Sequence, residues 1–336
     1  MARYEPVESP DESTIFPYHE LTPPTVADVY AARKTIAGEL PETPVVRADG
    51  LSAELDADVY LKREDTLPTG AFKVRGGLNL VAGLEERFQE PGLIAASTGN
   101  HGGSVAYAAD RFDIPATVVV PEGTTPAKIQ RMERLGATVK RRGKTFDQAR
   151  EHAERLAREG YRYVHSANEP ALLAGVGTAG LELVEQRPEI DYLFCPVGGG
   201  SSAAGYALTV GRLTDATVVG VQSEAAPAAH RAWAEDTLEA HDRVETFAEG
   251  IATRVPFALP TEILQADLDA FRLVADDTLR AGVRTMFEHE RIVMEGACAA
   301  SLAGARDMAE EIAGTTVVLQ VSGRNIDPAL FRELID

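Results

Sequence analysis

Lysine is scarce in this chain. Of 33 basic residues only Lys34, Lys62, Lys73, Lys128, Lys140 and Lys144 are lysines, so the remaining 27 are arginine. Cysteine is scarcer still. Cys195 and Cys298 lie in apolar segments, neither at metal-ligand spacing to another cysteine or a histidine pair, and both read as buried small residues in a reducing cytoplasm. No apolar run approaches the ~18 residues that cross a bilayer. The N-terminal MARYEPVESPDESTIFPYHE lacks the apolar core of a signal peptide, so it reads as a polar lead-in to a cytoplasmic protein. No basic block offsets a net charge of −19, which argues against nucleic acid or an anionic membrane as partner. The surplus of carboxylates, with arginine in place of lysine, resembles a halophilic surface, one from a high-salt cytoplasm. What the chain has is apolar material: 336 residues at 44% hydrophobic suit two ordinary domains or one large α/β domain.

Scarcity makes a well-placed lysine informative. In LKREDTLPTGAFKVRGG, residues 61–77, a strand end turns into a polar loop, Pro68 and Gly70 break the chain, and a helix begins. Lys73 stands at that helix start among the apolar Ala71, Phe72 and Val74. Apolar surroundings and the positive end of a helix dipole both push an amine toward its neutral form. A neutral lysine is a nucleophile whose usual work is a Schiff base. The alternative is a solvated lysine lying along the helix surface.

Strand and helix patterns then alternate. Apolar runs at 92–97, 116–120, 138–141, 161–165, 192–197, 217–221 and 316–321 read as strands, with helices between them at 104–111, 126–135, 146–159, 172–186 and 203–213. Ahead of these come a helix at 26–40 and strands at 45–48 and 59–62 flanking a helix at 51–56. Such alternation means parallel pairing through right-handed crossovers. We expect two doubly wound α/β domains, a small one at 92–165 inserted into a large one built from 1–91 and 166–336. The cleft between them would collect the loops at the carboxyl ends of strands.

Three of those loops answer the lysine. Gly198, Gly199, Gly200, Ser201 and Ser202 join a strand to a helix, where aligned backbone N–H groups and the helix dipole suit a phosphate; a structural tight turn is the other reading. Ser97, Thr98, Gly99, Asn100 and His101 also follow a strand and open a helix, with N–H groups that could hold a substrate carboxylate. Asn100 or Ser104 could instead only cap that helix. His101, beside two glycines, reads as a general base or equally as a packing or capping residue. Ser322 ends the last strand, where its hydroxyl could meet a neutral ring nitrogen.

Together TGAFKVRG, STGNHGGS, PVGGGSSAAG and VSGRNID resemble the pyridoxal-phosphate enzymes of the tryptophan synthase β-like fold (fold type II). Within them the likeness is closest to the threonine and serine dehydratases, or ammonia-lyases, which include serine racemase. The resemblance implies pyridoxal 5'-phosphate held by Lys73 as a Schiff base, with Phe72 among the cofactor-binding residues. It implies Asn100 on the ring oxygen, the 198–202 loop on the phosphate, Ser322 at the pyridine nitrogen and Glu295 near the cofactor. Ser97, Thr98, Gly99, Asn100 and His101 would take the substrate carboxylate. Glu224 resembles one ligand of the family's monovalent or divalent cation site, although His230 stands where a second carboxylate is expected. A homodimer is also implied.

The implied reaction is α,β-elimination on a small amino acid. The freed Lys73 amine removes the Cα proton, the β-hydroxyl leaves, and the released enamine hydrolyses to a 2-oxo acid and ammonia, so L-threonine yields 2-oxobutanoate and L-serine pyruvate. Val74 and Arg75 after the lysine, where cysteine and threonine synthases have Asp, set the chain among dehydratases. A serine at the pyridine nitrogen makes a weaker electron sink than an aspartate, which favours elimination over transamination. Thr98, where serine racemase has a serine, argues against racemisation. Arg324 beside Ser322 and EGIATRVPFALP at 249–260 depart from the family, and an acidic or larger β-hydroxy amino acid such as 3-hydroxyaspartate is the alternative substrate they raise. The sequence stops 14 residues past Ser322, leaving no room for a C-terminal regulatory domain, so feedback inhibition by isoleucine is not expected. The reading from another class is a non-catalytic small-molecule binding protein.

Overall fold

A computed structural model describes residues 21–241 and 244–336; the expected lead-in at 1–20 lies outside the described residues. Among the described residues ten strands form two sheets. The larger takes β1 (Val45–Arg47), β2 (Asp58–Arg63), β7 (Tyr192–Pro196), β8 (Thr217–Ser223), β9 (Ala270–Val274) and β10 (Thr316–Val321) in the order β1-β2-β10-β7-β8-β9. The smaller takes β3 (Leu93–Ala96), β4 (Ala116–Val120), β5 (Thr138–Arg141) and β6 (Arg162–Tyr163) in the order β5-β4-β3-β6. All pairings are parallel except β1 with β2. Alternation alone predicts a parallel pair there too. Between those strands only residues 48–57 are available, less than the dozen or so a parallel crossover needs, so β1 folds back antiparallel.

Every residue of β3 and β4 is buried, as parallel strands covered on both faces must be. In the large sheet successive residues go to different cores. Leu193, Cys195, Val218 and Val318 pack on one side and Phe194, Val219, Val317 and Leu319 on the other, so helices cover both faces. This is the expected α/β, tryptophan synthase β-like architecture.

Three boundaries differ from the pattern in ways that matter. The helix expected from 104 runs Asn100–Arg111, so Asn100 and His101 sit in its first turn. The helix expected from 203 starts at Ser201 and widens into a π-helical turn at Ala207–Gly211. The strand expected at 161–165 is only Arg162–Tyr163, and the residues after it form a loop instead. β9 was missed, because AFRLV is short, carries the charged Arg272 at its centre and has no long apolar run, three of its positions being only half-buried at the sheet edge.

Candidate active site

The loop before Lys73 is stitched to the end of β10. Phe72 N–H donates to Ser322 O (3.0 Å), Arg324 N–H donates to Gly70 O (2.9 Å), and Ala71 bridges Gly323. Gly70 has φ +68°, and a Cβ there would lie 2.9 Å from Asn325 Oδ1, so glycine lets this turn close onto the strand end. Lys73 then starts the helix Val74–Ala82. From the helix Asn100–Arg111, Ser104 Oγ donates to the Lys73 carbonyl (2.7 Å), which removes Ser104 from any capping role.

Lys73 Nζ donates to Ser166 O (3.0 Å) and Ser201 Oγ (2.8 Å) and stands 5.3 Å from the centre of the Phe72 ring. Burial lowers its pKa to about 8, with the Glu295 charge pulling the other way. Ser201 is the first helical residue after the triple-glycine bend, so this bond joins the lysine to the bend. The bend is tightly enclosed: a Cβ on Gly198 would lie 2.4 Å from Gly250 O, and one on Gly199 would lie 2.7 Å from the Phe257 ring. Gly200 takes φ +84°. Ser202 Oγ donates to buried Gln320 Oε1 (2.8 Å). Among the described residues, no protein acceptor takes the backbone N–H groups of Gly198, Gly199, Gly200, Ser201 or Ser202.

A second polar chain lies on the other side. Asn325 Nδ2 donates to Asn100 Oδ1 (2.7 Å), and Asn100 Nδ2 donates to both Glu295 oxygens (2.8 and 3.0 Å). Burial raises Glu295 to about 7, opposed by the Asn100 bond and the Arg131 charge. Ser97 Oγ accepts the N–H groups of Gly99 (3.2 Å) and Gly102 (3.0 Å), so Ser97 shapes the helix start and Gly99 occupies the cap position. Thr98, Asn100 and His101 keep N–H groups that no protein acceptor takes among the described residues.

His101 Nε2 donates to Val164 O (2.9 Å), its Nδ1 is buried with no hydrogen-bond partner among the described residues, and burial, with the nearby Lys73 charge, lowers its pKa to about 4. Ser322 Oγ lies 3.1 Å from Cys298 Sγ, which also meets Gly323 N and O, so this thiol fixes the strand end. Glu224 follows β8, its N–H donating to Val274 O, while His230 packs its ring on Phe271 (5.2 Å between centroids). No group of three or more His, Cys, Asp or Glu that could hold a metal occurs among the described residues.

Sequence reasoning missed the loop after β6. Ser166 supplies the carbonyl that holds Lys73, and His165 Nδ1 accepts the N–H groups of Ala167 (3.0 Å) and Asn168 (2.8 Å). Asn168 holds Leu259 N–H, and its Nδ2 is buried without a partner among the described residues. No periodicity marks this stretch. It also missed the cluster behind Lys73. Arg75, fully buried, donates to Glu64 (2.7 and 2.9 Å) and Glu182 (2.6 and 2.7 Å), and Lys62 Nζ donates to Glu182 (2.9 Å).

The sequence pattern of the family described as "Pyridoxal-phosphate dependent enzyme" matches residues 36–323. The chain belongs to that family. Pyridoxal phosphate is therefore its cofactor. This pyridoxal-phosphate enzyme is 33% identical to the L-threonine ammonia-lyase of Thermotoga maritima over 93% of its own length and 78% of the relative's. It is 35% identical to the biosynthetic L-threonine dehydratase of Pasteurella multocida, of which it spans 56%. The processed form of threonine deaminase isoform 2 from Solanum lycopersicum superposes with a TM-score of 0.90 at 29% identity, covering 99% of this chain and 97% of that one. The site fits the cofactor on its own terms: an amine of depressed pKa beside a glycine bend whose N–H donors await an anion, with an orphaned amide nearby.

Proposed function

We propose that this enzyme converts L-threonine, and L-serine, to 2-oxobutanoate or pyruvate and ammonia by α,β-elimination. The observation that carries the reading is the 2.8 Å bond between Lys73 Nζ and Ser201 Oγ, which brings a nucleophilic amine to the edge of the glycine bend. In this reading Gly198, Gly199, Gly200, Ser201 and Ser202 bind the cofactor phosphate, Phe72, Asn100 and Glu295 line its ring, and Ser322 serves its pyridine nitrogen. The cofactor, when bound, supplies an electron sink for negative charge at the substrate Cα. The N–H groups of Thr98, Asn100 and His101 orient the substrate carboxylate, and the hydroxyl of Ser97 holds that loop open to it. Lys73, neutral in a good share of molecules at its pKa of about 8, binds the cofactor aldehyde and, when free, accepts the Cα proton.

The described residues between 92 and 165 form the small domain, and those before and after form the large one, a division supported by the two separate sheets. Two buried free cysteines support a reducing cytoplasm, and the net charge of −19 supports high salt. A homodimer, with a cation near Glu224, completes the reading.

Purified protein given pyridoxal phosphate should turn yellow and release 2-oxobutanoate and ammonia from L-threonine, and Lys73→Ala should do neither. A colourless protein that ignores the cofactor would leave a binding protein instead. Inverted amino acid with no oxo acid would make it a racemase.

A further inference from the structure

A cavity of about 260 Å³ opens beside the Thr69 and Gly70 turn and is lined by Arg131, Arg134, Arg324 and Asn325. Three guanidinium groups on one cavity are unexpected in a chain with 52 carboxylates, most of whose arginines are ion-paired. None of these three makes an ion pair among the described residues. Arg131 donates to Thr69 O, Arg134 Nε donates to Gln130 O (3.3 Å), and Arg324 lays its side chain over Gly70. Burial lowers the Arg131 pKa, the Glu295 charge opposes this, and the positive charges of Arg134 and Arg324 add to the lowering, so the three guanidinium groups feel one another.

The cavity adjoins the reaction centre at two points. Gly70 lies three residues before Lys73, and Asn325 on the cavity wall donates to Asn100, inside the loop that takes the substrate carboxylate. Arg131 also lies along the first turn of the helix that this loop opens, since a Cβ on Gly103 would stand 3.4 Å from its Nη2. Elements of two sheets thus bring unpaired arginines to the flank of the first carboxylate site.

We propose that Arg131 and Arg324, with Arg134 at the rim, receive a second carboxylate, making this enzyme a dehydratase of dicarboxylic β-hydroxy amino acids, of which 3-hydroxyaspartate is the smallest. The inference rests on the elimination reading above. The Cα–H and Cβ–OH bonds break and water leaves; hydrolysis of the enamine takes up one water and releases ammonia. 3-Hydroxyaspartate therefore yields oxaloacetate and ammonia with no oxidant. Guanidinium groups match a carboxylate in bidentate fashion, which a threonine methyl cannot use.

The test measures kcat/KM of the holoenzyme for L-threo-3-hydroxyaspartate, L-threonine and L-serine, with succinate as inhibitor of threonine turnover. Wild type should prefer the dicarboxylic substrate, Arg324→Gln should lower its kcat/KM by about tenfold or more, the scale of a charge-assisted pair, while threonine changes little, and Arg131→Gln, which also loosens the Thr69 turn and shifts Glu295, should lower it by more than it lowers threonine. Arg131→Lys should restore part of the loss. Succinate should compete with threonine in wild type and lose potency in the variants. The proposal is overturned if threonine is turned over and hydroxyaspartate is not, or if both substrates fall equally. Non-competitive inhibition would overturn it too, by assigning the cavity to a separate effector. A yellow protein that releases no oxo acid from any of the three would instead refute the elimination reading.

Discussion

Replacing Arg75 by methionine tests whether the buried cluster holds the Lys73 helix in place. Arg75 and Lys62 balance Glu64 and Glu182 in a space that solvent does not reach; Arg75 also donates to Thr43 (3.2 Å) and Thr178 (3.1 Å). Removing the guanidinium leaves two buried carboxylates against one ammonium. Breaking a buried pair from one side costs about 3–5 kcal/mol, mostly as an uncompensated charge. Arg75→Met should therefore lower the unfolding free energy of the holoenzyme, read from denaturant titration, by that amount, while Arg75→Met with Glu64→Gln, which restores neutrality, should recover part of it. The cluster also sets an acid limb. Its ion pairs hold Glu182 down at about 2 from an ordinary 4.5, so its stabilisation is complete above 4.5 and fades as pH falls toward 2. A shift of that size is worth about 3 kcal/mol and should be missing from Arg75→Met. A single variant within 1 kcal/mol of wild type, or a double variant as unstable as the sum of both changes, would refute the reasoning.

Other consequences can be measured directly. Because burial sets Lys73 near 8, the rate at which apoenzyme takes up pyridoxal phosphate should rise with pH through about 8; Glu295→Gln should move that midpoint lower, since Glu295 raises it, and a wild-type midpoint near 10.5 would contradict the buried-amine account. Gly198→Ala sets a methyl 2.4 Å from the Gly250 carbonyl, whereas Gly99→Ala meets nothing within 4 Å. Cofactor affinity should fall by about tenfold or more in the first and thermal stability should be unchanged in the second, by absorbance titration and melting. Ser104→Ala removes the bond to the Lys73 carbonyl and should cost about 1 kcal/mol in unfolding, with the chromophore retained.

The alternation of apolar runs made the parallel sheets legible, because β3 and β4 are buried on both faces and cannot hide their composition. Gly-rich strand-to-helix composition made the 198–200 bend legible for the same reason: a close backbone approach tolerates little else. The loop after β6 was not legible, since Ser166 acts through its carbonyl, which every residue type carries. Nor was the partner of Asn100, because Glu295 lies 195 positions away and only the pairing of two domains brings them together. His101, conspicuous in sequence as a base or a packing residue, bonds Val164 O through Nε2, a partner no local pattern reveals.

These cases share one physical pattern. Lys73 is flanked by two polar systems that differ in charge. Behind it the Arg75 cluster is neutral and sealed, which fixes the helix without adding a field at the amine. Ahead of it the chain from Asn325 through Asn100 to Glu295 ends in a carboxylate poised near 7, so the field felt by the amine changes across neutral pH. Arg131 favours the ionised form of that carboxylate, and an anion seated against Arg131 would offset this influence and raise Glu295 further. In the proposed reading, occupancy of the arginine cavity and protonation of Glu295 are thereby linked. Saturating succinate should shift the pH midpoint of the chromophore spectrum upward in wild type and leave it in place in Arg131→Gln. A midpoint indifferent to succinate in both proteins would separate the cavity from the site.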